Sequence, residues 1–219
     1  MTPLIKICGI TNEEDALYCG AKGAHFLGFI FYEKSPRYVT PERAGEIIKA
    51  VKVRFPEILA TGVFVNASEG EILSVAESAG LDVVQLHGDE SPDFVDNLKK
   101  LFHQRHPGKI KIIKALRIRT RDDLEASLAY KSDWLLFDSY RKGEYGGTGE
   151  VFNWKLLEDF SQRERLFLSG GVGPENVVQA LEQVKPFGVD LSSSLEASRG
   201  KKDKKRVDDF FSALEKAML

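Results

Sequence analysis

Cys8 closes the apolar run LIKIC and is followed at once by Gly9. A free cysteine there is either a small buried hydrophobe that ends a strand or a thiol held where a substrate can reach it. Other reactive groups stand in the same kind of place, at the end of a short apolar run. They are His87 after DVVQL, Asp138 after WLLF, Ser169, Gly170 and Gly171 after RLFL, and Asp190 with Ser192, Ser193 and Ser194 in FGVDLSSS. Arg37 follows a few residues after HFLGFIF. Thiol, imidazole and carboxyl groups are carriers of protons in acid–base chemistry, and glycine amides with hydroxyls can cradle an anion. Taken singly, Asp138 and His87 read more readily as satisfied buried polar groups and Arg37 as a surface cation. Whether they act together depends on the elements that carry them.

Short apolar runs alternate with amphipathic, charge-rich segments along the chain. LIKIC (4–8) precedes NEEDALYCGAKG (12–23), which has a cap residue, acids in its first turn and a closing glycine. HFLGFIF (25–31) precedes a helix pattern at 40–55, where Thr40 can cap and Pro41 suits the first helical position. ATGVFV (60–65), DVVQLHG (82–88) and KIIKALRI (111–118) precede helix patterns at 68–80, 91–104 and 120–130. DWLLFDS (133–139) leads through a glycine-rich loop to a shorter helix expected near 153–161. RLFLSGG (165–171) and FGVDLSSS (187–194) precede helices at 173–184 and 203–217.

Strict alternation implies a parallel sheet, because parallel strands need long crossover connections. Eight such units over 219 residues fit a closed (β/α)8 TIM barrel, read as one α/β domain over 1–219. In that fold the active site lies at the carboxyl ends of the strands, where the reactive residues stand. The loops after the seventh and eighth strands frequently form a phosphate site. SGGVGPEN supplies glycine amides for it, and SSSLEAS supplies hydroxyls and a short helix.

Composition narrows the partners. The 31 basic and 33 acidic residues nearly cancel, which argues against a nucleic-acid or membrane-surface binder. The cluster RGKKDKKR (199–206) reads as a solvated loop and helix start, or as a group near an anionic ligand. Cys8 and Cys19 are the only cysteines, too few for a disulfide framework and matching no zinc spacing, so no metal is expected. No secretory signal and no apolar run of membrane-spanning length is visible, so a cytoplasmic location is expected.

KICGIT (6–11), GVFVN (62–66), VQLHG (84–88), LFDS (136–139) and YGGTG (145–149) together resemble the phosphoribosylanthranilate isomerase family. LSGGVGPENV (168–177) and VDLSSSLEASRGKKD (189–203) extend that resemblance in the family's order to the last helix. The resemblance implies a (β/α)8 barrel of tryptophan biosynthesis that acts on a small phosphosugar without a cofactor, as a monomer or homodimer. The implied reaction turns N-(5-phosphoribosyl)anthranilate into 1-(2-carboxyphenylamino)-1-deoxyribulose 5-phosphate. It makes Cys8 the general base and Asp138 the general acid. Arg37 and His87 become substrate-binding residues, Arg37 against the anthranilate part, and Gly170, Gly171, Ser192 and Ser193 hold the phosphate. One position departs from the family, which usually has Ser-Ser-Gly where this chain has Ser192-Ser193-Ser194. A serine there must tolerate the same backbone geometry or shift the loop.

Those roles oppose the ordinary pKa values, about 8.5 for a thiol and about 3.9 for Asp. A thiol base is expected to be lowered by nearby positive charge, with Lys6 the first candidate. A carboxyl acid must keep its proton, which an apolar setting favours. Two other readings share part of the pattern. A related phosphate-binding barrel enzyme would lack the Cys8 and Asp138 pair, and a non-catalytic anion-binding barrel would leave Cys8 as core.

Overall fold

The computed structural model describes residues 3–138, 154–157 and 159–217. Ser139 and the glycine-rich loop YGGTG lie outside the described residues. Asn12, Thr40, Ser68, Ser91 and Thr120 each precede a helix, and each side chain accepts from the amide three residues on. Each thereby satisfies a donor that the first helical turn leaves open. The helices they start are α1 (Glu13–Lys22), α2 (Pro41–Arg54), α3 (Glu69–Ala79), α4 (Pro92–Arg105) and α5 (Arg121–Ser127). Gly23 and Gly80 end α1 and α3 at φ 106° and 72°, a left-handed turn that glycine adopts without cost to a Cβ.

Between these helices run β1 (Leu4–Cys8), β2 (Phe26–Ile30), β3 (Leu59–Phe64), β4 (Val83–Leu86), β5 (Lys111–Arg117) and β6 (Trp134–Asp138). β7 (Leu166–Leu168), α6 (Val177–Val184) and β8 (Gly188–Leu191) follow. All eight strands pair in parallel in sequence order, and β8 returns to β1 to close the barrel, with Lys6 opposite Asp190. The α/β barrel expected from the alternation is the fold observed.

Two local expectations change. The helix expected near 153–161 is a 3₁₀ turn, Trp154–Leu157, among the described residues. The buried side chains of this segment, Trp154 and Leu157 in the turn and Phe160 after it, recur every three residues, a spacing that suits a 3₁₀ turn. The SSSLEAS segment makes only a three-residue 3₁₀ turn, Ser193–Leu195. The chain then forms a hairpin of β9 (Glu196–Ser198) and β10 (Lys201–Lys202) before the last helix, α7 (Lys204–Ala217). The basic cluster is therefore not simply a solvated loop: Lys202 within it is buried.

Alternation along the strands sorts the barrel interior into layers, because residues i and i+2 share a face. Phe26, Val83, Ile113, Ala115, Leu136 and Phe167 form an apolar inner cluster, with Leu4, Leu59, Trp134 and Phe187 packed against it. Two residues further along their strands come Lys6, Thr61, Gln85 and Asp190, all buried. Further toward the carboxyl ends stand Cys8, His87, Arg117 and Asp138. The apolar plug thus supports a polar layer, and the polar layer supports the reactive one. No helix among the described residues is long and apolar enough to cross a membrane.

Phe167 anchors the plug, fully buried and edge-on to Phe26 at 5.2 Å and to Phe187 at 5.6 Å. Phe167→Ala should destabilise the fold by about 3–5 kcal/mol through lost burial and a residual cavity. Urea unfolding checks this; a loss below about 1 kcal/mol would show that the plug repacks.

Candidate active site

Cys8 ends β1 with its thiol buried against β2. A Cβ on Gly28 would lie 2.8 Å from Cys8 Sγ, so the glycine opposite Cys8 makes the space that the thiol occupies. Lys6, on the same face, donates to Asp190 Oδ1 at 2.7 Å. Ser169 Oγ donates to Asp190 Oδ2 at 3.3 Å, linking the end of β7 to the pair. Burial pushes the Cys8 thiol up, Lys6 pulls it down, Asp190 pushes it up and Lys202 pulls it down, and the balance is upward. The expected lowering by Lys6 is present, but burial and Asp190 outweigh it. Burial presses on the Lys6 ammonium, yet Asp190 and Cys8 carry its pKa above the ordinary lysine value. Cys19, fully buried on α1, is pushed up to about 12 by burial and is part of the core.

Asp138 ends β6 and lines a cavity of about 390 Å³ together with Ser169, Gly170, Gly171, Asp190, Ser192, Ser193 and Ser194. Gly170 and Gly171 have φ of 77° and 79°, positive values that glycine adopts without the cost of a Cβ. Asn176 holds this loop, accepting from Gly173 N at 2.9 Å and donating to Gly171 O at 2.8 Å. Glu175 lines the cavity with Asp138 and Asp190, so the charged groups of its wall are carboxylates, and an anion there would be met by backbone amides and hydroxyls.

His87 Nε2 stands 3.5 Å from Asp138 Oδ2. Gln85 Nε2 lies 2.8 Å from His87 Nδ1. Arg37 crosses the turn after β1: a Cβ on Gly9, which has φ +80°, would lie 2.7 Å from Arg37 Cδ and 3.2 Å from Ser192 Oγ. Far from being a free surface cation, Arg37 is buried and donates to Glu196 Oε1 and Oε2 at 2.8 and 2.7 Å.

All the residues singled out in the sequence therefore stand at the carboxyl ends of the strands. Asp138, Gly170, Gly171, Ser192 and Ser193 share one cavity, while Cys8, Arg37 and His87 border it through Asp190, Ser192 and Asp138. Gly28, Glu196 and Lys202 were not singled out. A glycine inside a strand is a sign of close approach, which could have found Gly28; Lys202 stands in the basic cluster 199–206 without any sign of which lysine is buried, and Glu196 carries no local signal.

A closed parallel barrel with its reactive groups at the carboxyl ends of the strands defines the class, a (β/α)8-barrel enzyme. The family model described as N-(5'phosphoribosyl)anthranilate (PRA) isomerase matches residues 5–213. The chain belongs to this family. It is 46% identical over 207 residues to N-(5'-phosphoribosyl)anthranilate isomerase of Thermotoga neapolitana, covering 94% of this chain and 95% of that one. The crystal structure of phosphoribosyl anthranilate isomerase from Thermotoga maritima superposes with a TM-score of 0.84 at 39% identity, covering 98% and 99% of the two chains. A phosphoribosyl anthranilate isomerase in complex with reduced 1-(o-carboxyphenylamino)-1-deoxyribulose 5-phosphate gives 0.80 at 38% identity, covering 98% and 99%.

A raised thiol pKa has a direct consequence for reactivity. Alkylation of the ligand-free protein at Cys8 by iodoacetamide should keep accelerating as pH rises through about 9, since only the thiolate reacts. Mass spectrometry of the Cys8 peptide follows it. A rate that levels off below pH 8 would mean a preformed thiolate and would contradict the burial argument.

Proposed function

We propose that the chain catalyses the Amadori rearrangement of N-(5-phosphoribosyl)anthranilate to 1-(2-carboxyphenylamino)-1-deoxyribulose 5-phosphate, with Asp138 as general acid and Cys8 as general base. The observation that carries the reading is the shared cavity. Asp138 opens onto the same space as the two loops suited to a phosphate, and Cys8 is tied to that space through Lys6 and Asp190. Gly170, Gly171, Ser192 and Ser193 hold the phosphate, Arg37 the anthranilate part, and His87 the substrate beside Asp138. Family membership supports the substrate class.

The chemistry then follows from the substrate. Asp138 gives its proton to the ribose ring oxygen while the C1–O bond breaks onto that oxygen. The nitrogen lone pair moves into a C=N bond, leaving an open-chain iminium. Cys8 then removes the C2 proton; the C–H pair becomes the C1=C2 bond and the iminium electrons return to nitrogen. The resulting enolamine tautomerises to the aminoketose, its hydroxyl proton leaving and C1 gaining one. No net oxidant or reductant is consumed, because C1 is reduced as C2 is oxidised.

The order of steps answers the raised thiol. Before substrate binds, burial favours the neutral thiol at Cys8. Ring opening brings a positive iminium beside it, and an adjacent positive charge favours the thiolate while acidifying the C2 proton. Acid first and base second is the sequence the electrostatics favour.

Cys8→Ala and Asp138→Asn should each lower kcat by at least about 10²-fold, the lower scale of general acid–base contributions. Loss of substrate fluorescence on adding enzyme to freshly generated phosphoribosylanthranilate measures it. Near-wild-type turnover by a well-folded variant would remove that residue from the mechanism.

A further inference from the structure

Arg37 does not reach the mouth of the barrel as a loose side chain. Its Nε and Nη2 form a two-pronged pair with Glu196, at 2.8 and 2.7 Å, in a setting where both side chains are almost entirely buried. Glu196 Oε1 also accepts from Lys202 Nζ at 3.3 Å and from Gly200 N at 3.4 Å. Lys202 Nζ in turn donates to the Cys8 carbonyl at 2.6 Å and to the Ser192 carbonyl at 3.2 Å. The cluster thus connects four places: the loop after β2, the end of β1, the loop after β8 and the β9–β10 hairpin.

We infer that Glu196 is a positioning residue: it fixes the guanidinium of Arg37 over the Cys8–Gly9 turn so that the remaining guanidinium edge faces the carboxylate-bearing ring of the substrate. This rests on the reading of Arg37 as a substrate-binding residue. A planar guanidinium offers five donors, and the pair with Glu196 takes the Nε and Nη2 side. Nη1 makes no hydrogen bond among the described residues. The packing leaves Arg37 little alternative: its Cδ lies where a Cβ on Gly9 would stand.

Charge holds the pair in place. Arg37 and Lys202 both donate to Glu196, and the buried Asp15 accepts from Lys202 N at 2.8 Å, so the cluster sets two cations against two carboxylates. Burial works against the Glu196 carboxylate, but Arg37 and Lys202 hold it below the usual carboxylate range. It remains an anion, and so a firm acceptor, throughout the neutral range.

A double-mutant cycle on substrate turnover tests this. Arg37→Ala should raise KM, and Glu196→Gln should raise KM roughly tenfold by loosening a charge-assisted pair, with kcat changed less than about threefold. In the Arg37→Ala background, Glu196→Gln should change KM less than about twofold, because nothing remains for it to orient. Equal KM factors in both backgrounds would overturn the inference, as would an unchanged KM in Glu196→Gln beside a raised one in Arg37→Ala. An unchanged KM in Arg37→Ala would remove the reading of Arg37 itself, and the inference with it. If Glu196→Gln does not fold, Glu196→Asp carries the test, since it keeps the anion and shortens its reach to Arg37. A KM raised in the wild-type background and unchanged in the Arg37→Ala background supports orientation by Glu196, and equal KM factors in the two overturn it.

Discussion

The barrel closes on a buried ion pair. Lys6 and Asp190 are register partners across the β1–β8 seam, and their charges meet at 2.7 Å with the lysine wholly buried. Neither charge can stand there alone: removing one partner of such a pair typically costs about 3–5 kcal/mol, because the other is left buried and unpaired. Against an apolar pair of equal volume, however, such a bridge adds little net stability. Its contribution is placement. It sets a fixed dipole directly beneath Cys8, and Ser169 Oγ holds the far oxygen of Asp190 from the end of β7. The first, seventh and eighth strands are thereby tied together at the level where the site begins.

That pairing also decides the state of the thiol. A lone buried lysine beside Cys8 would favour a thiolate, which is the expectation drawn from Lys6 taken alone. With Asp190 bound to it, much of the positive field is cancelled before it reaches the sulfur, and burial governs. Lys202 adds a second positive charge nearby but spends its hydrogen bonds on the carbonyls of Cys8 and Ser192 and on Glu196. A neutral thiol is then what the arrangement favours. A thiol held this way responds to positive charge brought beside it, and in its neutral form it reacts slowly with oxidants and alkylating agents.

The features legible in the sequence are those that act over short separations. Cap residues three positions from the amides they accept from, and apolar runs of strand length between them, were enough to locate the barrel. The Trp154 turn was misread because its buried residues recur at three, which resembles the helical i, i+3 pattern over so short a stretch. Arg37 and Glu196 are separated by 159 positions and Lys6 and Asp190 by 184, so no local pattern announces either pair. Gly28 lies between the two cases. Its place inside HFLGFIF was visible, but its purpose, leaving room for a sulfur on the neighbouring strand, appears only once β1 and β2 are paired.

Ser194 shows how a departure from a family pattern can be absorbed without strain. Where a glycine is usual, the expected conflict is a left-handed backbone that a serine would resist. Among the described residues, however, only Asn66 and Lys185 have positive φ without being glycine. Ser194 sits in the 3₁₀ turn Ser193–Leu195, in a conformation open to any residue. What its side chain needs is space, and Gly173 provides it, since a Cβ there would come within 3.1 Å of Ser194 Cβ. The serine brings a hydroxyl to the wall of the cavity, buried and without a hydrogen-bond partner among the described residues. The substitution thus exchanges a glycine for a side-chain hydroxyl at the cavity wall without requiring a left-handed backbone.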